Sequence, residues 1–177
     1  MFSCHASLSP LCVCSSSQEQ SHPQAIANGI AKTQWAGRLQ WFLWQGHKNL
    51  IDGAHNPASA KVLREFVDTL NPERSNIHWV MGMLSTKDHG DVFQELLRSR
   101  DSLYLVPVPD HSTAEPAELA VLAKNICPDL AQCQPFADVV EALETAIAQA
   151  DNHYLVVLCG SLYLLGHFLK TANPIQA

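Results

Sequence analysis

The stretch that decides the fold is LIDGAHNPASAKVL, residues 50–63. A short apolar run stops at Asp52, and an apolar pattern with helical spacing resumes after Pro57, which predicts a strand that turns sharply into a helix. Asn56 can cap this helix and Pro57 suits its first turn, because neither N–H needs an intrahelical partner. Asp52 and His55 have no structural role in this pattern, and they lie beside a helix N-terminus, where free N–H groups favour anions.

Strand and helix patterns alternate along the rest of the chain. A hairpin is predicted within residues 37–52, with its turn at residues 45–48. A short helix is predicted upstream, over residues 24–33. The later strands are predicted at 76–84, 102–108, 131–136 and 153–160, and the later helices at 57–70, 90–100, 115–126, 137–150 and 161–170.

This alternation indicates the fold class. Near-continuous apolar strands such as YLVVL, residues 154–158, are typical of a parallel sheet that is covered on both faces. We therefore expect an α/β fold, a doubly wound and mostly parallel sheet with helices on both faces and an antiparallel hairpin at its start. Right-handed crossovers send the carboxyl ends of the parallel strands to one edge, where ligands of such sheets usually bind.

Polar side chains also follow three later strands at this edge. They are Lys87 after the second predicted parallel strand, residues 110–112 after the third, and Ser161 after the last. Each has a simpler interpretation. Lys87 and Asp88 can be a solvated surface pair, residues 110–112 can be ordinary loop polarity, and Ser161 can be a helix cap.

Composition excludes several classes of function. The 177 residues carry a net charge of -6 without a Lys/Arg cluster, so nucleic acid is not an expected partner. The apolar runs are shorter than the roughly 20 residues that cross a bilayer, so no membrane partner is expected. Six cysteines without CxxC spacing predict reduced thiols, a cytoplasmic location and no metal site. Neither a GxxxxGK[ST] loop nor a GxGxxG fingerprint occurs.

Four segments together resemble a known family. They are GRLQ at 37–40, DGAHNP at 52–57, MGMLSTKD at 81–88 and CGSLYLLG at 159–166. They are similar to the C-terminal domain of folylpolyglutamate synthase/dihydrofolate synthase, a member of the Mur ligase family. The resemblance implies a Rossmann-like Mur ligase C-terminal domain.

The composition of the N-terminus, which is rich in Ser, Gln and Cys, and the resemblance together predict four segments in the chain. Residues 1–24 are expected to be a disordered tail, and residues 25–37 a remnant of a preceding ATPase domain with its linker. The Mur ligase C-terminal domain then spans residues 38–172, and residues 173–177 form a second tail.

The resemblance also implies a reaction. Enzymes of this family join glutamate to the carboxylate of a folate or pteroate, using ATP to form an acyl phosphate that the glutamate amine attacks. ATP and Mg²⁺ are bound mainly by an ATPase domain that carries the P-loop. Because no P-loop occurs in these 177 residues, the chain alone is expected to be inactive.

Three residues match positions that bind ATP in the family. Arg38 resembles the linker arginine that reaches the nucleotide phosphates, where a fixed cation offsets the charge of the transferring group. Asp52 matches a carboxylate that contacts the nucleotide. Asn56 belongs to the same corner and is assigned to ATP with them.

Three residues match positions near the amino acid substrate. His55 is the predicted catalytic residue, because its counterpart faces both the phosphate and the incoming glutamate. Ser161 matches a serine that helps to hold glutamate, and Lys87 lies where the family has a basic residue near it. The resemblance assigns no metal ligand to this chain.

Two alternatives have different functions. The chain can be a non-catalytic binding module or half-enzyme that docks on a separately encoded ATPase subunit. An exposed surface near Trp35, Trp41 and Trp44 motivates this hypothesis. A weaker alternative is a module that binds glutamate without a nucleotide.

Overall fold

The computed structural model describes residues 37–70, 76–150, 155–172 and 174–176. The predicted tail over 1–24 and the predicted helix over 24–33 lie outside the described residues. Of the predicted linker over 25–37, only residue 37 is described.

The described residues contain a seven-stranded sheet in the order β5-β4-β3-β6-β2-β1-β7. Neighbouring strands from β5 to β2 are parallel, whereas β1 is antiparallel to β2 and β7 is antiparallel to β1. This confirms the predicted mostly parallel sheet with a hairpin at its start. The strands are β1 (Gln40–Trp44), β2 (His47–Ile51), β3 (Ile77–Met81), β4 (Ser102–Leu105), β5 (Gln132–Pro135), β6 (Leu155–Cys159) and β7 (Ile175–Gln176).

Five helices in the described residues cover both faces of the sheet. Helices α1 to α3 contribute their buried residues to one apolar cluster, and α4 and α5 contribute theirs to a second cluster. The sheet is therefore doubly wound, as predicted. The helices are α1 (Pro57–Leu70), α2 (His89–Leu96), α3 (Pro116–Ile126), α4 (Val139–Gln149) and α5 (Leu162–Thr171).

The central strands supply side chains to both clusters in alternation. In β6, Val157 packs in the cluster under α1 to α3, whereas Val156 and Leu158 pack in the cluster under α4 and α5. Successive side chains of a strand point to opposite faces, so a strand that is covered on both faces buries the side chain at every position. This explains why all five residues of β3 and of β6 are buried.

The hairpin differs from the prediction at its turn. Gln45 and Gly46 both have positive φ, 50° and 81°, and pairing continues to Trp44 opposite His47. A two-residue loop with positive φ at both positions matches the twist of the flanking strands, so the turn is shorter than the predicted residues 45–48. The two-residue strand β7, which pairs with β1, is too short to leave a periodic pattern within residues 173–177.

A buried carboxylate connects three elements at the amino-terminal edge of the sheet. One oxygen of Asp101, Oδ2, accepts hydrogen bonds from an Arg64 guanidinium nitrogen at 2.6 Å, from Trp79 Nε1 at 3.0 Å and from the Arg98 backbone N–H at 3.0 Å. Arg64 also pairs with Asp68, whose side chain is 54% exposed. The side chain of Asp101 is only 4% exposed, so its loss would leave buried donors without an acceptor.

We expect Asp101→Ala to lower the free energy of unfolding by about 3–5 kcal/mol, because it breaks a buried ion pair. Asp68→Ala removes the exposed partner of the same arginine and is the matched control, with an expected loss below about 1 kcal/mol. Urea unfolding followed by circular dichroism measures both. Equal losses in the two variants would contradict this account.

Candidate active site

The corner after β2 is held by backbone and side-chain hydrogen bonds. The N–H of Asp52 donates to the carbonyl of Leu158 at 3.0 Å, which extends the pairing of β2 with β6. The Asp52 carboxylate is buried and accepts from two backbone N–H groups, that of Leu39 at 2.9 Å and that of Ala54 at 2.8 Å. The expectation that Asp52 has no structural role was therefore wrong, because the sequence pattern does not reveal a partner 13 residues away.

The pKa of Asp52 lies above its ordinary value of 3.8. Burial is the largest cause, because it removes water from the charged form. The two N–H hydrogen bonds and the charges of Arg38 and His55 act in the opposite direction and only partly offset the burial.

Helix α1 begins with the cap that the sequence predicted. The Asn56 side-chain oxygen Oδ1 accepts from the N–H of Ser59 at 2.9 Å, and Pro57 is the first helical residue. Ser59 Oγ in turn accepts from the N–H of His55 at 3.2 Å. These bonds satisfy donors that a helix start leaves unpaired, and they fix the backbone of the corner.

His55 has a defined ring orientation. Its Nδ1 lies 2.7 Å from the carbonyl oxygen of Gly53. A carbonyl oxygen can only accept, so Nδ1 carries the hydrogen, and Nε2 is an acceptor when the ring is neutral.

The four residues that the sequence placed near ATP and phosphate line one cavity. Arg38, Asp52, His55 and Asn56 surround a space of about 470 Å³. This volume falls within the range of about 300–1,000 Å³ that is usual for small-molecule sites. The remaining wall is mostly apolar and is formed by Leu39, Gly53, Ala54, Ala58, Ser59, Val62, Leu63 and Leu162. We call this space the larger cavity.

The three residues that the sequence placed near glutamate line a second cavity of about 250 Å³, the smaller cavity. They are His55, Lys87 and Ser161. Because His55 and Leu162 line both cavities, the two spaces adjoin. The structure thus brings all six predicted site residues together.

Ser161 is the N-cap of α5, as its simpler interpretation predicted. Its Oγ accepts from the N–H of Tyr163 at 3.2 Å, and the residue is buried. Gly160 before it has φ 102°, and a Cβ there would lie 2.6 Å from the carbonyl oxygen of Gly82. Only glycine allows this approach between the ends of β6 and β3, which places Ser161 beside the cavity.

The loops that follow β3 and β4 are joined to each other. The N–H of Ser85 donates to the carbonyl of Ser112 at 2.9 Å, and the two hydroxyl oxygens lie 2.8 Å apart. His111, interpreted from the sequence as loop polarity, is exposed but lies against Tyr163, with 3.8 Å between ring centroids. This connection fixes the loop that carries Lys87.

The sequence analysis did not select Leu162 and Tyr163 as site residues. They line the smaller cavity with exposed fractions of 52% and 54%. Their position in the sequence could have predicted this role. Two large residues that directly follow Gly-Ser at the start of a helix must lie at the ligand edge of the sheet.

The tryptophan surface proposed for docking is partly wrong. Trp44 is buried, and its ring packs edge-on against Phe168 at 5.7 Å between centroids. Trp41 is half-buried under the ammonium group of Lys48. Trp35 lies outside the described residues.

Two features are absent from the residues that the structure describes. Among these residues, no group of three or more His, Cys, Asp or Glu side chains is arranged to hold a metal ion. Nor does any helix there have the length and apolar character needed to span a bilayer.

We expect the Asp52 carboxyl to titrate with a midpoint above 3.8 in carboxyl-carbon NMR. Because the folded protein holds this proton more tightly than the unfolded chain, Asp52 contributes most stability below its unfolded pKa. The contribution falls as the pH rises through the raised folded pKa. The free energy of unfolding of the wild type, minus that of Asp52→Asn, should therefore fall with increasing pH in this window. A difference that rises with pH would contradict the raised pKa.

Comparisons with known proteins agree with this architecture. The family model described as "Dihydrofolate synthetase, C-terminal domain" matches residues 44–171. A probable dihydrofolate synthetase of Schizosaccharomyces pombe is 28% identical over 150 residues, covering 82% of this chain and 36% of the relative. The dihydrofolate synthase/folylpolyglutamate synthase of Escherichia coli is 29% identical over 151 residues, covering 84% and 33%. The chain spans about a third of the length of these relatives.

Solved structures of such enzymes share the fold. The bifunctional folylpolyglutamate synthase/dihydrofolate synthase of Yersinia pestis, complexed with AMPPNP and a Mn ion, aligns with a TM-score of 0.67 at 26% identity, covering 86% of this chain and 35% of that one. A structure of a bifunctional enzyme with the same activities, with Mn, AMPPNP and L-glutamate bound, aligns with a TM-score of 0.70 at 27% identity, with the same coverage. The chain therefore belongs to the dihydrofolate synthetase C-terminal domain family.

Proposed function

We propose that this domain forms one side of an ATP-dependent ligase site that adds glutamate to a folate or a pteroate. The observation that carries the proposal is the arrangement of six candidate residues around two adjoining cavities with His55 shared between them. Solved structures of relatives contain AMPPNP, which is an analogue of ATP, and one of them also contains L-glutamate. These complexes support ATP and glutamate as the ligands of the two cavities. The remaining side of the site belongs to an ATPase domain, which holds most of the nucleotide.

The proposed reaction has two steps. First, a carboxylate oxygen of the folate or pteroate attacks the γ-phosphorus of ATP, the bond to the β-phosphate oxygen breaks, and ADP leaves. The glutamate amine then attacks the acyl carbon, phosphate departs with its bonding electrons, and the amine loses a proton. Charge increases on phosphate oxygens in the first step, and preorganised cations stabilise such charge.

The larger cavity suits the nucleotide phosphates. Arg38 supplies a planar cation that matches phosphate geometry. Asn56 uses its oxygen to cap α1, so its amide NH₂ group remains to donate to the nucleotide. Asp52 lies beside them, but both of its oxygens already accept from backbone N–H groups.

The smaller cavity suits the amino acid. Lys87 supplies a positive charge for a glutamate carboxylate. Ser161 Oγ accepts from the N–H of Tyr163, which leaves the hydroxyl hydrogen to donate to a carboxylate. His55 lies between the cavities, and its Nε2 can accept the proton that the attacking amine releases.

Mg²⁺ accompanies ATP in the proposed reaction. The described residues offer no group of three or more His, Cys, Asp or Glu side chains for a metal ion. By resemblance to the family, we place the Mg²⁺ ligands on the ATPase domain.

A second candidate function is docking on a separately encoded ATPase subunit. Three exposed apolar residues, Val62, Leu162 and Tyr163, line the two cavities and favour a protein partner on this side. Co-purification with the product of a neighbouring P-loop gene would support this function. A P-loop domain encoded in frame with this chain would contradict it.

Nitrogen-15 NMR titrations of the 177-residue chain test the proposed function. ATP should shift the backbone signals around Arg38 and Asn56, and glutamate those around Lys87 and Ser161. We expect Arg38→Met to weaken ATP binding about tenfold, because a charge-assisted contact to phosphate is lost.

Arg98→Met is the matched control, since Arg98 is an exposed arginine whose side chain donates to carbonyls at the end of α2. It should leave ATP binding unchanged. Equal losses in both arginine variants, or ligand-induced shifts outside the two cavities, would contradict the proposal.

A further inference from the structure

A short turn before β1 is attached to the corner after β2 by two hydrogen bonds. The N–H of Gly53 donates to the carbonyl of Gly37 at 2.6 Å. The N–H of Leu39 donates to Asp52 Oδ2 at 2.9 Å. Arg38 lies between these two anchored residues, so the corner fixes the backbone from which its side chain extends.

This turn has an unfavourable backbone conformation. Leu39 has φ 44°, in the left-handed region that side chains rarely adopt, and Gly37 has φ 82°. A non-glycine residue keeps such a conformation only when its surroundings hold it there. The hydrogen bond from the Leu39 N–H to Asp52 is the contact placed to do so.

The turn and the corner also approach closely. A Cβ on Gly53 would lie 2.3 Å from Leu162 Cδ2 and 3.3 Å from the carbonyl oxygen of Gly37. A side chain at this position would require the side chain of Leu162, the first residue of α5, to move.

The Asp52 carboxylate lines the larger cavity but is already bound by backbone N–H groups. The residue is 9% exposed, and each oxygen accepts one backbone N–H. Burial also raises the pKa of this carboxyl, as expected of a group with little access to water. Arg38, in contrast, is exposed and lines the larger cavity.

We propose that Asp52 is a positioning residue for Arg38: its carboxylate anchors the turn of residues 37–39 to the corner and so sets where the guanidinium enters the larger cavity. The role of Arg38 in ATP binding rests on the proposed function. The anchoring itself does not, since it is a property of the protein without ligand.

Asparagine cannot reproduce this anchor. A carboxylate offers two acceptor oxygens, one to Leu39 and one to Ala54, whereas an amide offers one oxygen and one NH₂ group. In Asp52→Asn, an NH₂ group would face a backbone N–H on one side. The turn or the corner then loses its acceptor.

Amide hydrogen exchange of the ligand-free chain tests the anchor. In Asp52→Ala, which removes both acceptor oxygens, we expect the amides of Leu39 and Gly53 to exchange about tenfold faster, because local opening becomes easier. Gly53 is the decisive reporter, since its N–H binds the Gly37 carbonyl and not the Asp52 side chain. Amides in the middle of β3 should be unchanged.

Asp88→Ala is the matched control, because Asp88 is an exposed aspartate after β3 whose side chain makes no capping hydrogen bond. It changes the net charge equally and should leave both amides unchanged. Faster exchange at Ala54 without a change at Leu39 and Gly53 would overturn the proposal.

A measurement on the wild type does not depend on any variant folding. The amide shifts of Leu39 and Ala54 should both follow the titration of the Asp52 carboxyl, with one midpoint. A Leu39 amide that is insensitive to this titration would also overturn the proposal.

ATP binding by Arg38→Met, Asp52→Asn and the double variant separates this proposal from the proposed function. If Asp52 acts through Arg38, the double variant should bind ATP no more weakly than Arg38→Met alone. Additive losses would indicate a direct contact of Asp52 with the nucleotide and overturn the proposal. Absence of ATP binding by the wild type would contradict the proposed function, while the exchange result would still decide the anchor.

Discussion

The site depends on a constraint of the sheet, the divergence of two neighbouring parallel strands. β2 and β6 are paired, yet α1 leaves β2 toward one face and α5 leaves β6 toward the other. Two chains that separate in this way leave a crevice beyond their carboxyl ends, which is where ligands of open α/β sheets bind. Asp52 and Ser161 are the residues at which these two chains diverge, and the cavities lie beside them.

Much of the fold could be predicted because its signals are local. Alternating apolar runs and amphipathic segments are properties of neighbouring residues, so β3, β6 and four of the five described helices were predicted close to their observed positions. The exception is α2, which was predicted to extend to residue 100 but ends at Leu96. The grouping of the site residues could be predicted from the topology. Parallel strands place Asp52, Lys87 and Ser161 at one edge of the sheet, whatever the details of packing. The caps at Asn56 and Ser161 were predictable for the same local reason.

The features that the sequence did not reveal are those that join distant segments. Trp44 is buried because Phe168, more than a hundred residues later, packs against its ring. The Asp52 carboxylate accepts a hydrogen bond from the N–H of Leu39, which can reach it because Leu39 adopts a left-handed conformation. No period or propensity encodes such pairings, since each depends on how two elements meet after folding.

The electrostatics of the site differ from those of the chain. The net charge is -6, yet two cationic side chains, Arg38 and Lys87, line the two cavities. Asp52 is the one acidic side chain among the described residues that line them, and two backbone N–H groups already bind its carboxylate. Charges farther away than about 8–10 Å are largely screened at physiological ionic strength, so the net charge weighs little inside the crevice. The local cations therefore favour anionic ligands, which is the property that the proposed function requires of this crevice.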